Sequence, residues 1–173
     1  HGVAHCNLKM ELQAASLKLK AEAEGDEPLM QIKARKVQEQ PVLITTFQDG
    51  QVEAVLRHGL GRCGLELHPL PSYSLVLHSA ASEANLDLSA LAVEDLLLEN
   101  NAGSVKIVLG ERAGRVLLRV RNNAGDVALK LPAGFALRVV ARENLSAANF
   151  EKFGLTLEDG VAQSEDWESN PQQ

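Results

Sequence analysis

The sequence predicts an all-β fold, a β-solenoid-like stack of short strands with repeats of about 21–22 residues. The first observation is that residues 96–109 run from an apolar arm through Asn-Asn-Ala-Gly into an alternating arm. Residues 118–131 repeat that order, and residues 75–88 place apolar side chains at the same positions. The second observation is that aromatic residues make up only 3% of the chain. The core must therefore consist mainly of Leu, Val, Ile and Ala.

Each repeat is interpreted as a coil of two short strands joined by a corner. One coil cannot bury its apolar face, but coils stacked about 4.8 Å apart build a continuous core. Gly103 and Gly125 suit a corner that requires a left-handed backbone, and Asn101 and Asn123 tolerate the same conformation. These four residues are predicted to be structural turn residues. Equivalent outward residues should form ladders, namely Asn85, Lys106 and Ala128, and Glu83, Ser104 and Asp126.

The N-terminal part alternates with the period of a half-buried strand over residues 8–13, and the alternation resumes at Leu17 after a phase change at Ala14 and Ala15. Residues 8–21 therefore fit as a distant fourth copy of the repeat. A weak fifth copy runs through four apolar positions, Phe135, Leu137, Val139 and Ala141. Further along, Leu155 and Leu157 predict a brief strand.

The middle of the chain contains the strongest hairpin signal. Asp49 and Gly50 favour a type I′ turn between strands at 42–47 and 51–57, because both central residues of that turn need positive φ. Residues 58–64 are rich in glycine and are predicted to form a turn. No helix follows them, as a phosphate-binding loop would require. Pro69 and Pro71 then predict an edge or an entry to a strand.

The length of 173 residues predicts one domain, which is placed over residues 8–160. Residues 1–7 are predicted to be a flexible segment or a purification remnant, and residues 161–173 a polar tail. The net charge is −6 and no basic run is present, which argues against nucleic acid as a partner. No apolar stretch reaches about 18 residues, so any membrane contact is expected to come from segments absent from this chain.

Metal binding has only weak candidates. His58, Cys63 and His68 recur at spacings of five, and imidazole and thiolate can bind zinc. A fourth ligand is missing, so polar loop residues are the favoured interpretation. No cofactor is predicted.

The two cysteines leave the redox state open, because sequence cannot show whether Cys6 and Cys63 meet. His1, His5 and Cys6 also lie close in sequence, but at a chain end that could be a purification remnant, so no metal or catalytic site is predicted there.

Catalytic signals are also weak, so the chain is predicted not to be an enzyme. Glu83, Asp87, Glu94 and Asp95 lie close in sequence, but a catalytic pair needs burial that the pattern does not indicate. The serines lack a nucleophile-elbow context. A modest basic strip is predicted to be a solvated face offset by Glu99 or Glu111; its members are Arg112, Arg115, Arg119 and Arg121.

Three motifs carry a resemblance to a known group. They are Ser-Glu-Ala-Asn-Leu-Asp-Leu-Ser at 82–89, Asn-Ala-Gly-Ser-Val at 101–105, and Asn-Ala-Gly-Asp-Val at 123–127 with Leu-Pro at 131–132. Over about residues 8–160 the chain resembles the β-solenoid-like "toastrack" domains of bacterial envelope proteins. These include the cell-wall-stress regulator family and families labelled putative adhesins.

The resemblance implies a non-enzymatic interaction or sensory module of a cell-envelope protein. The expected location of the chain is the extracytoplasmic side of the membrane, where it would be one domain of a membrane-tethered protein. The expected partner is another protein or a second copy of the chain, with envelope-stress regulation as the role. The alternative is adhesin-like binding of a glycan or another surface ligand.

Overall fold

The computed structural model describes residues 3–21, 28–35, 39–113, 115–132, 136–142, 155–158 and 161–164. Eleven strands in these ranges form one sheet, and a single 3-10 turn spans Glu111–Ala113. The strands are β1 (His5–Ala21), β2 (Met30–Arg35), β3 (Val42–Gln48), β4 (Gln51–Leu67), β5 (Ser72–Leu88), β6 (Ala92–Leu109), β7 (Arg115–Asn122), β8 (Asp126–Lys130), β9 (Ala136–Arg142), β10 (Leu155–Glu158) and β11 (Val161–Ser164). The all-β prediction is confirmed.

The four longest strands each contain a corner. In β1 the inward positions change phase there, because Gln13 and Ala14 are both exposed between the buried Leu12 and Ala15. We call the part before the corner the first arm and the part after it the second arm. Strands β4, β1, β5 and β6 pair in parallel in that spatial order. β7 and β8 continue the stack as separate arms on β6, and β9 pairs with β7.

The strand register reproduces the sequence repeat. Leu75 pairs with Leu96 and Leu96 with Leu118, while Val105 pairs with Val127. The fourth copy is confirmed, since Leu8 pairs with Leu75. The fifth copy is present as β9, in which Val139 and Ala141 pair with Leu118 and Val120, although Phe135 lies outside the described residues. Both predicted outward ladders occur in register, with Asn85, Lys106 and Ala128 in one and Glu83, Ser104 and Asp126 in the other.

One feature of the stack was not predicted and another differs from the prediction. β1 lies between β4 and β5, so the spatial order of the coils is not their order in the chain. The prediction of a turn over residues 58–64 is wrong, because β4 pairs with β1 from Gln51 to Leu67. Its glycine-rich segment is a coil corner, where Gly61 has a φ of 109° and pairs with Ala15.

Antiparallel strands lie at both ends of the stack. β3 pairs with the first arm of β4 through the Asp49-Gly50 turn, whose φ values of 50° and 78° confirm the type I′ prediction. β2 pairs with the second arm of β4. At the other end β11 joins β9 and β10 joins β11, which confirms the short strand predicted around Leu155.

The domain limits also extend beyond the prediction. β1 begins at His5, so residues 5–7, predicted to be flexible, belong to the sheet, and Cys6 is fully buried. β11 includes the first four residues of the predicted tail, and residues 165–173 lie outside the described residues.

The core between the arms is aliphatic, as predicted. Its largest fully buried side chains are mostly leucines, and Met10 is also among them. Tyr73 is the aromatic exception, and its hydroxyl donates to the carbonyl oxygen of His68 at 2.5 Å. Within the described ranges, no helix has the length and apolar character needed to cross a membrane.

Candidate functional site

The predicted turn residues hold the corners of β6 and of the β7–β8 coil. Gly103 and Gly125 have φ values of 100° and 90°. A side chain at either position would overlap the backbone of the preceding coil, at the carbonyl oxygen of Ser82 or of Gly103. Asn101 and Asn123 are exposed, and the Asn123 amide donates to Asn101 Oδ1 at 2.8 Å. These contacts join neighbouring coils.

A second pair of asparagines lies inside the same corners. Asn100 is 1% exposed, and its Nδ2 donates to Asn122 Oδ1 at 2.8 Å and to the Ala124 carbonyl oxygen at 3.2 Å. Asn122 Nδ2 in turn donates to the Gly125 carbonyl oxygen at 3.0 Å. The Asn-Asn-Ala-Gly motif therefore satisfies corner carbonyls that the strand ladder cannot reach. Its role is structural.

The metal candidates do not converge. His58 points into the core at the end of the first arm of β4, Cys63 lies in the second arm, and His68 follows its end. Five residues of extended chain span about 16 Å, which separates Cys63 from His68. In the part of the chain that the structure describes, no three His, Cys, Asp or Glu side chains form a metal-binding group.

Both cysteines are free and buried. Burial raises the pKa of the Cys6 thiol from 9.0 to about 12, with a smaller effect from Glu53, and burial also raises the pKa of Cys63. The thiols are therefore protonated at neutral pH. A protonated, buried thiol is a poor nucleophile.

The four clustered carboxylates have separate surroundings. Asp87 accepts from the hydroxyl and the backbone N–H of Ser89 at 2.6 and 3.2 Å, and the hydroxyl is the main cause of its lowered pKa. Glu94 lies 3.7 Å from His5, and Asp95 pairs with Arg119 at 2.5 Å. Glu83 is exposed on β5. This arrangement is typical of strand-surface carboxylates, not of an acid and base pair.

The basic strip divides in the same way. Arg119 pairs with Asp95, whereas the sequence had suggested Glu99 or Glu111 as its counter-charge. Arg112 donates to the Ala90 carbonyl oxygen at 3.3 Å, and Arg121 borders a groove described below. The side chain of Arg115 lies outside the described residues.

One side-chain cluster was missed by sequence reasoning. His5 Nδ1 lies 2.7 Å from Ser72 Oγ and 3.7 Å from Glu94 Oε2, while its Nε2 lies 3.1 Å from Ser74 Oγ. A β-bulge between β5 and β6 leaves Glu94 as an extra residue, which brings it to this cluster. Ser74, His5 and Glu94 thus occur in the order of a catalytic triad. However, the hydrogen-bonding partner of His5 Nδ1 is Ser72 and not the more distant carboxylate of Glu94. The backbone around Ser74 is paired within the sheet, which leaves no N–H groups there for an oxyanion.

A polar groove of about 620 Å³ crosses five coils where the first arms meet the corners. One in-register row of outward residues borders it, consisting of Arg57, Glu11, His78, Glu99 and Arg121. Gln13, Asn101 and Asn123 add amides, and Glu39 and Gln40 lie at one end. Five coils spaced about 4.8 Å apart make the groove about 19 Å long.

The charges of the polar groove are largely paired. Glu11 bonds to Lys9 at 2.6 Å and to Arg57 at 2.7 Å, and these partners, Lys9 first, lower the pKa of its carboxyl. His78 Nδ1 lies 2.7 Å from Glu99 Oε2. Ser79 follows His78 but faces the core, where its hydroxyl has no partner among the described residues. The groove can donate and accept hydrogen bonds to an extended polar ligand.

The outer edge of β3 is the second candidate surface. β3 contains no charged residue, and three of its apolar side chains are more than half exposed: Val42 at 51%, Ile44 at 52% and Phe47 at 63%. Phe47 pairs with Val52, whose side chain is in the core. It therefore stands on the core-side face, at the end of the stack. No strand in the described ranges covers it.

The backbone of β3 also presents hydrogen-bonding groups to solvent. A two-residue turn makes Gln48 and Gln51 a hydrogen-bonded pair, and in antiparallel sheets such pairs alternate. Leu43, Thr45 and Phe47 consequently direct their N–H and C=O groups away from β4. An uncharged edge with unpaired backbone groups is a template for another strand.

Comparison with known proteins supports the fold. A crystal structure described as "a putative cell adhesion protein from Clostridium sporogenes" is similar over 96% of this chain and 84% of that chain, with a TM-score of 0.75. The two sequences are 15% identical, so the likeness shows the fold alone. No protein-family model matches the sequence, and no curated protein matches it.

Proposed function

We propose that this chain is a non-enzymatic interaction module of a bacterial cell-envelope protein, which binds a protein partner through the outer edge of β3. The observation that carries the proposal is the uncharged strand with Phe47 exposed on its core-side face. Strand addition satisfies its backbone groups and covers its apolar side chains together. The name of the structural neighbour supports a surface role. Envelope-stress regulation would act through such a partner.

The proposal is tested by photo-crosslinking in the bacterial envelope. A photo-reactive phenylalanine analogue at Thr45 should link the chain to a protein. The same analogue at Asn85, exposed in the middle of the stack, serves as the matched control. Adding Ile44→Lys should abolish the product, because a charge on an edge strand opposes pairing. Equal products from both positions, or none from Thr45, would contradict the proposal.

The non-enzymatic part has its own test, because Ser74 lies within hydrogen-bonding distance of His5. An activated serine reacts with a fluorophosphonate probe, whereas a surface serine without oxyanion donors does not. We expect no labelling of the folded chain. Labelling that is lost in Ser74→Ala but retained in Ser72→Ala would instead identify an enzyme.

An adhesin-like function is the second candidate, favoured by the in-register polar row of the groove. Glycan-array or peptidoglycan binding should then be saturable and weakened by Asn101→Ala with Asn123→Ala. Ile44→Lys should leave it unchanged, which separates the two functions. Binding that responds to Ile44→Lys alone would exclude the groove as the site.

A further inference from the structure

We propose that the strand which β3 accepts is β3 of a second copy of this chain, paired antiparallel about a two-fold axis at Thr45. The inference rests on the proposed function and names its partner. With the axis at Thr45, Leu43 lies opposite Phe47 of the second copy, and Ile44 lies opposite Thr46 of the second copy. Each copy presents the same patch, as a closed two-fold dimer requires.

The backbone favours this register. Leu43, Thr45 and Phe47 are the residues whose hydrogen-bonding groups face away from β4. With Thr45 opposite itself, all three become members of hydrogen-bonded pairs across the axis. If the second copy were shifted by one residue, the outward N–H and C=O groups of one strand would face residues whose own groups are already bonded to β4, and the match would be lost. The match arises from the position of the Asp49-Gly50 turn.

Side chains and charge support the same occupant. Leu43 and Thr45 stand on the core-side face with Phe47, so a second copy continues the core beyond the last coil. With Leu43 opposite Phe47, two apolar side chains would shield each other from water across the axis. Each chain carries a net charge of −6, and β3 offers a contact with no charge of its own.

Other pairings of two copies fit less well. β2 lies on the same side of β4, but its Lys33 is exposed and would oppose pairing. β10 lies at the far end of the sheet, spans four residues and includes Glu158. Pairing β3 with β10 would join copies head to tail and produce filaments instead of a closed dimer.

Disulfide trapping tests the register. In a hydrogen-bonded antiparallel pair the Cα atoms are about 5.5 Å apart, within the range for a disulfide. Thr45→Cys should give a species of twice the 18.7 kDa chain mass under mild oxidation. Thr46→Cys is the matched control, because the Cα atoms of residue 46 in the two copies would be about 8 Å apart. Cys6 and Cys63 are buried and should not compete. Equal trapping by both variants, or none by Thr45→Cys, would overturn the register.

Sedimentation equilibrium tests the association itself. A contact through one pair of seven-residue strands is expected to bury less than the roughly 1,200 Å² of a stable interface, so the dimer should be weak and concentration-dependent. Ile44→Lys should raise the dimer dissociation constant at least tenfold, and Thr45→Pro should do the same by removing an outward N–H. A monomer at all concentrations, with a different protein still crosslinked from Thr45, would exclude the second copy but retain the proposed function. A monomer with no crosslink would exclude both.

Discussion

The corners in the middle of the stack and the edge of β3 at its end differ in how their backbone and side chains are used. At the corners of β6 and of the β7–β8 coil, side-chain amides satisfy turn carbonyls, and at Gly103 the preceding coil leaves no space for another atom. At β3, backbone groups and apolar side chains face solvent. The repeated corners therefore stabilise the fold, whereas groups that could bind a partner are exposed at β3, where the repeat ends. This difference predicts that corner variants change stability, and edge variants change association.

The largest effect is expected from Gly103→Ala. Alanine would have to keep the unfavourable positive φ of this position, and its Cβ would overlap the carbonyl oxygen of Ser82. The free energy of unfolding should therefore fall by about 2–4 kcal/mol. Gly64→Ala is the control, because its Cβ would have ordinary clearance and φ there is not positive; it should change stability by less than about 1 kcal/mol. Urea denaturation measures both. Similar losses for the two variants would contradict the role of the corner.

Asn100→Ala should have the next largest effect. It removes the donor to Asn122 and Ala124 and leaves the buried amide oxygen of Asn122 without this bond, which costs about 1–3 kcal/mol. Asn101→Ala is the exposed counterpart, which removes the oxygen that accepts from Asn123, and it should cost less than about 1 kcal/mol. If the exposed variant proves the more destabilising, the buried ladder does not hold the corner.

Acid should loosen the β2 side of β4 before the β3 side. Lys33 and then Lys20 hold the pKa of Glu66 below its ordinary value of 4.5. The ion pairs therefore stabilise the fold above pH 4.5, and their contribution is lost as the pH falls through the folded-state pKa. Hydrogen exchange at pH 3 and pH 6 should show greater opening of Met30–Arg35 at the lower pH. Glu66→Gln should weaken this dependence, and an unchanged profile in that variant would contradict the assignment.

The smallest stability effect is expected from Phe47→Ser. The ring is 63% exposed, so the free energy of unfolding should change by no more than about 0.5 kcal/mol. Association should nevertheless weaken markedly. Val52→Ser, at the buried position paired with Phe47, should destabilise the fold instead. A large stability loss in Phe47→Ser would show that β3 is already covered within one chain.

Sequence periodicity predicted the regular part of the stack because the register of neighbouring coils follows the repeat length. Leu75, Leu96 and Leu118 pair as their spacing indicates, and Gly103 and Gly125 occupy the predicted corners. β4 escaped recognition as a coil since its corner has Leu60 and Gly61 in place of Asn-Asn-Ala-Gly. The insertion of β1 beside it joins residues about 46 positions apart, as with Leu8 and Ala54, and no local pattern encodes such pairing.

The candidate surfaces were less predictable than the fold. Alternation indicated that the residues of the polar groove face outward, but their alignment across five coils required the register of β4 and β1. The exposure of Phe47 could not be foreseen, because an aromatic residue in a strand normally indicates burial. Its exposure results from the position of β3 beyond the last coil. The cluster of His5 with Ser72 and Ser74 depends on the long-range pairing of β1 with β5.

The location of β1 has a consequence for how the chain acquires its structure. During synthesis β1 is made first, yet its two neighbours are completed only at Leu67 and Leu88. β4 and β5 can pair with β1 only across these long separations, so both steps join segments distant in sequence and should be slow. Until then both would expose pairing edges to other chains. Refolding should accordingly be slowest, and aggregation greatest, at the stage when the protection of β1 amides is still absent.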